Sequence, residues 1–251
     1  TGQKNLVYMG GVALNCVTNT KLYDLCNNIW IMPNPGDAGN SLGAAVIRSA
    51  SHDFNLPWPV RREKIIEWQG PFLGTNIKGD YPVDKIIKEL ETNKICGVAN
   101  GRAEFGPRAL GNRSLLADPR GNDIKDKVNE IKKRQKFRPF APAILKEHLH
   151  DYFDIPTDDS PYMQFVAKAK DKTVKNFPAI IHHDGTSRVQ TVSAEDNPGF
   201  RKLLEKFYEK TGCPMLLNTS LNIRGEPLVN DIKDAKAFEE RYKVKVFTGE
   251  N

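Results

Sequence analysis

Arginines recur at Arg102, Arg108, Arg113 and Arg120 within the run Asn100–Arg120, interspersed with Gly101, Gly106, Gly111, Pro107 and Pro119. A guanidinium is a planar fork of donors that matches the oxygens of phosphate or carboxylate in pairs. Glycine lets backbone approach a ligand and adopt positive φ, and proline stiffens the path. Such a loop is suited to holding a polyanion, which points to phosphate chemistry. A solvated basic loop is the plain alternative. Against it, the run is entered from the strand-like Ile95-Cys96-Gly97-Val98-Ala99 and left through Ser114-Leu115-Leu116-Ala117. Loops on rigid strands are where sites are commonly carried.

Three further polar clusters follow. Arg134 and Arg138-Pro139-Phe140 place two guanidiniums around a helix end. Lys133 and Arg134 could simply complement the helix dipole, which does not account for the proline-locked Arg138. The run His182-His183-Asp184-Gly185-Thr186-Ser187-Arg188-Val189-Gln190 invites a metal reading. Adjacent residues on a strand face opposite sides, which argues against both histidines binding one ion. His182, Thr186 and Arg188 lining a site fits better, with an Asp-Gly hairpin as the bland alternative. Asn218-Thr219-Ser220-Leu221-Asn222 offers amides and hydroxyls at a strand end, suited to phosphate or ribose oxygens. Near the start, Gly10-Gly11 lies between a strand and a helix, where backbone can meet a nucleotide. Asp37 opens the next helix, a position that capping alone explains. There is no Walker-type loop and no convincing Ser-His-Asp order.

The elements that must position these groups fall into two units. Residues 1–52 read as β-α-β-α: a strand at Leu6–Met9, a helix over 12–27, a strand at Ile29–Met32 and a helix at Asn40–Ser51. Parallel strands need more partners and cover than this, so the piece is expected to close a larger domain. Leu56-Pro57-Trp58-Pro59-Val60 reads as a stiff linker. From Tyr81 a second unit begins, with a helix at Val83–Thr92, the arginine loop between its strands, and a helix capped by Asn122 and striped by Ile124, Val128 and Ile131. Further strands are expected at Ala143–Leu145, Met163–Ala167, on both sides of a turn at Asp184-Gly185, at Met215–Leu217 and at Val244–Phe247. Helices are expected within 146–160, at Asn197–Thr211 and at Asp231–Glu240.

Composition narrows the class. The 251 residues are 39% hydrophobic, with no apolar run long enough to span a bilayer and no signal peptide at the first residues. Cys16, Cys26, Cys96 and Cys213 form no Cys-x-x-Cys pair, which fits reduced thiols in a cytoplasmic protein. Net charge is +6, and between Lys94 and Arg138 twelve basic residues face five acids. That excess could serve nucleic acid, but no aromatic residues are interleaved as a stacking platform, so a small phosphorylated ligand is favoured.

Taken together, these runs resemble the O-carbamoyltransferase family, whose members carbamoylate nodulation factors, cephalosporins, novobiocin-type compounds and aminoglycosides. The resemblance rests on Gly101-Arg102 with Glu104-Phe105-Gly106-Pro107-Arg108-Ala109-Leu110-Gly111-Asn112-Arg113-Ser114, and on Phe137-Arg138-Pro139-Phe140-Ala141-Pro142. It continues in His182-x-Asp184-Gly185-Thr186-x-Arg188-x-Gln190 and Leu217-Asn218-Thr219-Ser220-x-Asn222, and in Gly10-Gly11-Val12-Ala13-x-Asn15 and Asp37-x-Gly39. It implies an α/β fold: a YrdC-like twisted-sheet domain at 75–251, a linker at 57–74, and at 1–56 the C-terminal piece of an acetate-kinase/actin-like domain. It implies carbamoyl phosphate and ATP with Mg2+ as substrates, carbamoyl adenylate as intermediate, and a hydroxyl-bearing small molecule or glycan as acceptor. By motif position Arg102, Arg108, Arg113 and Arg138 would be catalytic. Arg134, His182, Thr186, Arg188, Asn218, Ser220, Gly10, Gly11 and Asn15 would bind substrate or nucleotide. Asp37 would be one ligand of iron or another divalent metal, whose histidine ligands are expected to lie N-terminal to this sequence. Gln135-Lys136 departs from the family's frequent Glu-Pro. The alternatives are an enzyme like threonylcarbamoyl-adenylate synthase, and a non-catalytic double-stranded RNA-binding module.

Overall fold

Alternating burial and helical stripes resolve into two packed units in the computed structural model, which describes residues 2–50 and 68–249. The first unit holds β1 (Asn5–Tyr8), α1 (Cys16–Lys21), β2 (Asn28–Ile31) and α2 (Asn40–Ala50), with β1 and β2 paired in parallel. The second begins with β3 (Asn76–Ile77), α3 (Val83–Asn93), β4 (Ile95–Ala99), β5 (Gly101–Arg102), β6 (Arg113–Ala117), α4 (Ile124–Ile131) and β7 (Ala141–Leu145). It continues through α5 (Leu149–Tyr152), β8 (Phe153–Asp154), β9 (Val166–Ala169), α6 (Asp171–Asn176), β10 (Thr186–Arg188) and β11 (Gln190–Val192). It ends with α7 (Pro198–Thr211), β12 (Met215–Ser220), α8 (Ile232–Tyr242) and β13 (Val246–Phe247).

The central sheet has six strands in the order β11-β7-β12-β6-β4-β13, with parallel and antiparallel pairs mixed. Strands β4, β6 and β7 are buried along their whole length. That explains their continuous apolar reading in place of alternation. The apolar stripe Val83, Ile86, Ile87 and Leu90 of α3 is buried, as is Phe200, Leu203, Leu204 and Phe207 of α7. The two helices pack against each other, and α7 lies against β7 and β12. Asn197 starts α7 by accepting the Phe200 N–H at 3.1 Å.

Register sets where the polar clusters meet. Ala99 at the end of β4 pairs with Arg113 at the start of β6. Ser220 at the end of β12 pairs with Ser114, and Asn218 pairs with Ala141 at the start of β7. Gln190 at the start of β11 pairs with Ala143. The arginine loop, Arg138–Phe140, Arg188–Gln190 and Asn218–Asn222 therefore all emerge at one edge of one sheet.

The first unit docks beside that edge. Gln164 donates to the carbonyls of Ile31 (2.9 Å) and Met32 (2.8 Å). Thr20 Oγ1 both donates to the Val166 carbonyl and accepts its N–H. Ala13, Ile31 and Phe165 form a small shared apolar cluster.

Several expected elements are corrected. The helix over 12–27 is broken into a 3-10 turn at Gly11–Leu14, α1, and a second 3-10 turn at Leu22–Asp24. Asn15 restarts the helix there, its side chain accepting from Val17 and Thr18 N–H. The helix expected to be capped by Asn122 begins at Ile124. Asp123 stands at its cap position without a capping bond, its carboxylate paired with Lys127. The segment before Asp184-Gly185 is no strand: Pro178–Ile180 is a 3-10 turn, and β10 pairs with β9. The proposed strand at Met163–Ala167 starts instead at Val166. The linker Leu56–Val60 lies outside the described residues. Among the described residues, no helix is long and apolar enough to cross a membrane.

Candidate functional site

Glu104 organises the arginine loop. Its side chain is buried, and Oε1 accepts the N–H groups of Leu110 (2.7 Å), Asn112 (2.9 Å) and Arg113 (3.2 Å). The loop turns at Gly111, with φ 117°, where a Cβ would lie 2.4 Å from the Phe200 ring. Only glycine satisfies both demands. Tyr81 donates to the Gly111 carbonyl, and Asn112 bridges Arg102 to Asn197.

Arg113 does not face a ligand. It is fully buried, with Nε and Nη2 donating to the Asn230 carbonyl and Nη2 also to Thr75. Nη1 donates to the carbonyls of Asn100, Gly101 and Asn112. Every guanidinium nitrogen is taken by backbone, so this arginine ties the loop to its neighbours instead of serving as the phosphate ligand expected from the sequence. Arg102 is exposed on β5 and donates to Gly74. Arg120 is bound bidentately by Asp118.

Arg108, Arg134, Arg138 and Arg188 behave differently, because they act on one another. Burial lowers the pKa of Arg188, and the neighbouring charges of Arg108 and Arg134 lower it further. Burial and Arg138 bring Arg134 down to about 10. Arg188 Nε is buried without a partner. At these values Arg134 and Arg188 stay protonated at neutral pH, and the repulsion they feel favours any anion that enters beside them.

Two of the four are held in place. Arg134 donates to Asn129 Oδ1 at 2.6 Å and stacks over Phe140 at 4.2 Å from the ring centroid. Asn129 is itself buried and donates to the carbonyls of Lys136 and Arg138, which fixes the turn that presents Arg138. Asn129→Ala should loosen this turn, weakening phosphate-anion binding about tenfold on the scale of lost hydrogen bonds. Calorimetry beside a thermal melt separates that effect from unfolding.

A second set lies at the end of β12. Asn218 donates to the Ala109 carbonyl (3.0 Å) and to Gln190 Oε1 (2.8 Å), while Gln190 donates to Leu110. Asn218 thus supports the arginine loop from below. Lys132, one charge of the basic excess in the sequence, is buried, with Nζ donating to the carbonyls of Ser220 and Asn222 and to Asn222 Oδ1. Burial, with Arg134 nearby, pushes Lys132 down to about 7. Its signal is readable in the sequence: Lys132, just past the end of α4, continues the spacing of Ile124 and Val128 and so sets a cation in line with the helix's apolar face.

His182 and Thr186 complete the edge. Thr186 Oγ1 donates to Asp184 at 2.6 Å and lies 3.2 Å from His182 Nδ1. Thr186 and Arg188 share one face of β10, with Ser187 buried on the other.

The first-unit residues divide. Cys16 contributes to the electrostatics of both Arg108 and Arg188, which places α1 beside the arginine group. Gly10 has φ 100° and open space around its Cβ position, and Gly11 is exposed. The Asn15 side chain is spent on capping α1. Asp37 is exposed, and among the described residues no group of three His, Cys, Asp or Glu could hold a metal. One carboxylate does not make a centre for an ion that needs four or more ligands, so Asp37 by itself does not fit a metal.

The molecule is a mixed-sheet α/β domain whose sheet gathers Arg108, Arg134, Arg138 and Arg188 at the ends of its strands. Residues 87–251 match the family described as Carbamoyltransferase C-terminus, and residues 1–46 match Carbamoyltransferase N-terminus. The chain belongs to the carbamoyltransferase family of transferases. It is 38% identical to the nodulation protein NolO of Bradyrhizobium diazoefficiens, across 94% of this chain and 46% of that protein. It is 36% identical to the uncharacterized protein MJ1051 of Methanocaldococcus jannaschii (92% of this chain, 47% of that one). It is also 36% identical to nodulation protein U of Rhizobium tropici (92% and 40%). The chain thus spans about half the length of the curated relatives it matches.

Proposed function

We propose that this chain belongs to an ATP-dependent O-carbamoyltransferase, and that its second unit, a YrdC-like twisted-sheet domain over 75–251, converts carbamoyl phosphate and ATP to carbamoyl adenylate. The single observation carrying this reading is the gathering of Arg108, Arg134 and Arg138 about Arg188, whose Nε is buried without a partner, close enough that Arg108 and Arg134 lower the pKa of Arg188 and Arg138 lowers that of Arg134. Carbamoyl phosphate and ATP bring many negative charges into one place. Those charges must be neutralised before a carbamate oxygen can attack the α-phosphorus and expel pyrophosphate. Positioning and charge stabilisation then supply most of the rate. Mg2+ brought by the nucleotide would supply further neutralisation of the phosphate charge. Residues 1–56, as the closing piece of an actin-like domain, would take part in the later transfer to a hydroxyl acceptor. The setting is cytoplasmic.

Calorimetry tests the reading. The unaltered chain should bind carbamoyl phosphate and Mg-ATP, and Arg138→Ala should weaken carbamoyl phosphate binding about thirtyfold, on the scale of a lost charge-assisted contact. Failure of the unaltered chain to bind either ligand would remove the proposal. Pyrophosphate release supported by threonine and bicarbonate, but not by carbamoyl phosphate, would instead make it a threonylcarbamoyl-adenylate synthase. Salt-steep, ATP-indifferent binding of duplex RNA would favour the binding-module alternative.

A further inference from the structure

Resting on the function proposed above, we infer that His182 is the proton acceptor for the water that cleaves carbamoyl phosphate at this site. The need for such a group follows from the chemistry. Attack on the α-phosphorus of ATP requires a free carboxylate oxygen, which carbamoyl phosphate lacks and carbamate has. Water must therefore first displace phosphate. In that step a bond forms between the water oxygen and the carbonyl carbon, and the bond from that carbon to the phosphate oxygen breaks. One water proton leaves with the phosphate as HPO4 2−, and the other must be taken up by a base. The products are carbamate, hydrogen phosphate and a protonated base.

The geometry points to His182. Asp184 accepts at one carboxylate oxygen from both the Thr186 hydroxyl (2.6 Å) and the Thr186 N–H (3.1 Å), which commits the hydroxyl proton to that carboxylate. Thr186 Oγ1 is left to accept, and the donor facing it is His182 Nδ1 at 3.2 Å. This fixes the proton of neutral imidazole on Nδ1 and leaves the lone pair on Nε2. Among the described residues Nε2 has no hydrogen-bond partner. The turn is closed by backbone on both sides, His182 N–H to the Thr186 carbonyl (2.8 Å) and Gly185 N–H to the His182 carbonyl (3.0 Å). The ring is half-buried on the side of β10 that carries Arg188, the arginine coupled to Arg108 and Arg134.

The charges around the ring are Asp184 on its own turn, Arg188 on β10 and Lys125 on α4. Burial and the two cations favour neutral imidazole, and Asp184 opposes them, with the net direction downward from the usual value. At neutral pH the imidazole is therefore free to take a proton. On protonation Nδ1 keeps its place against Thr186, and Asp184 stabilises the imidazolium through that hydroxyl.

The test is phosphate release from carbamoyl phosphate by the chain, measured from pH 5 to 8, with carbamoyl phosphate affinity measured separately by calorimetry. The unaltered chain should show a rate that rises with pH and levels off below 6.5, the ordinary histidine value. His182→Gln should lower the plateau at least a hundredfold, abolish the acid limb and leave affinity within about threefold. Imidazole added to His182→Ala should restore part of the rate, which a merely structural histidine would not allow. Thr186→Val should lower the rate less than His182→Gln and displace the acid limb. Unchanged rate and pH profile in His182→Gln with normal affinity would overturn this inference alone. Absence of carbamoyl phosphate binding to the unaltered chain would overturn the function it rests on as well.

Discussion

Arg113→Met should destabilise the protein by at least about 3 kcal/mol, the scale on which removing one member of a buried charged network is felt. Methionine keeps the apolar stem and removes every donor. The carbonyls of Thr75, Asn100, Gly101, Asn112 and Asn230 all receive from this one guanidinium. Thr75 and Asn112 keep the Ala103 and Asn100 N–H groups, but the other carbonyls lose this donor, and the one at buried Asn100 carries a desolvation cost. Glu104 then also loses its attraction to this guanidinium. A chain of this size moves roughly 2–4 °C in Tm for each kcal/mol, so a melt followed by circular dichroism should fall by about 10 °C. Arg113→Lys should recover little, because one ammonium has three donors and cannot span carbonyls spread over four segments. An unshifted melt combined with lost anion binding would show that Arg113 reaches the ligand after all.

That prediction marks the boundary of what the sequence could tell. In sequence the run Asn100–Arg120 reads as a loop suited to a polyanion, because guanidiniums, glycines and flanking apolar strands are all readable as residue types. Which guanidiniums face outward was not readable. Arg113 and Arg108 are both arginines a few residues from glycine, and only the register of β4 against β6 sends one into the interior. Burial stripes on α3 and α7 were legible because helical period and core contact coincide there. The break in the expected helix over 12–27 was missed because a side chain, Asn15, competes with backbone for the same N–H groups. The strand before Asp184-Gly185 was misread for a related reason: Pro178 opens a 3-10 turn, and the hairpin partner was supplied from β9, distant in sequence. Asn129 is not legible, because an amide in a basic helix looks solvated until its face is known, whereas the spacing of Lys132 after Ile124 and Val128 is a signal the sequence carries.

Arg188 should show the reverse of Arg113, and the pair of results is what separates scaffold from site. A cation whose pKa is lowered on folding costs stability at every pH below its folded pKa, because the unfolded chain holds that proton more easily. For Arg188 the cost is fully present at neutral pH, from burial and from the charges of Arg108 and Arg134. Nothing in the described residues repays it through Nε, which is buried and unpaired. Arg188→Gln should therefore melt no lower than the unaltered chain, and added salt should narrow any gain, since screening relieves the same repulsion. Ligand response should collapse. Pyrophosphate or carbamoyl phosphate should raise the Tm of the unaltered chain by binding only the folded state, while the variant should bind about a hundredfold more weakly, equivalent to about 2.7 kcal/mol. A variant that melts lower yet binds as well would make Arg188 a second Arg113, an arginine spent on holding the fold. A variant that melts unchanged and binds nothing makes the repulsion among these arginines the property that the anion relieves.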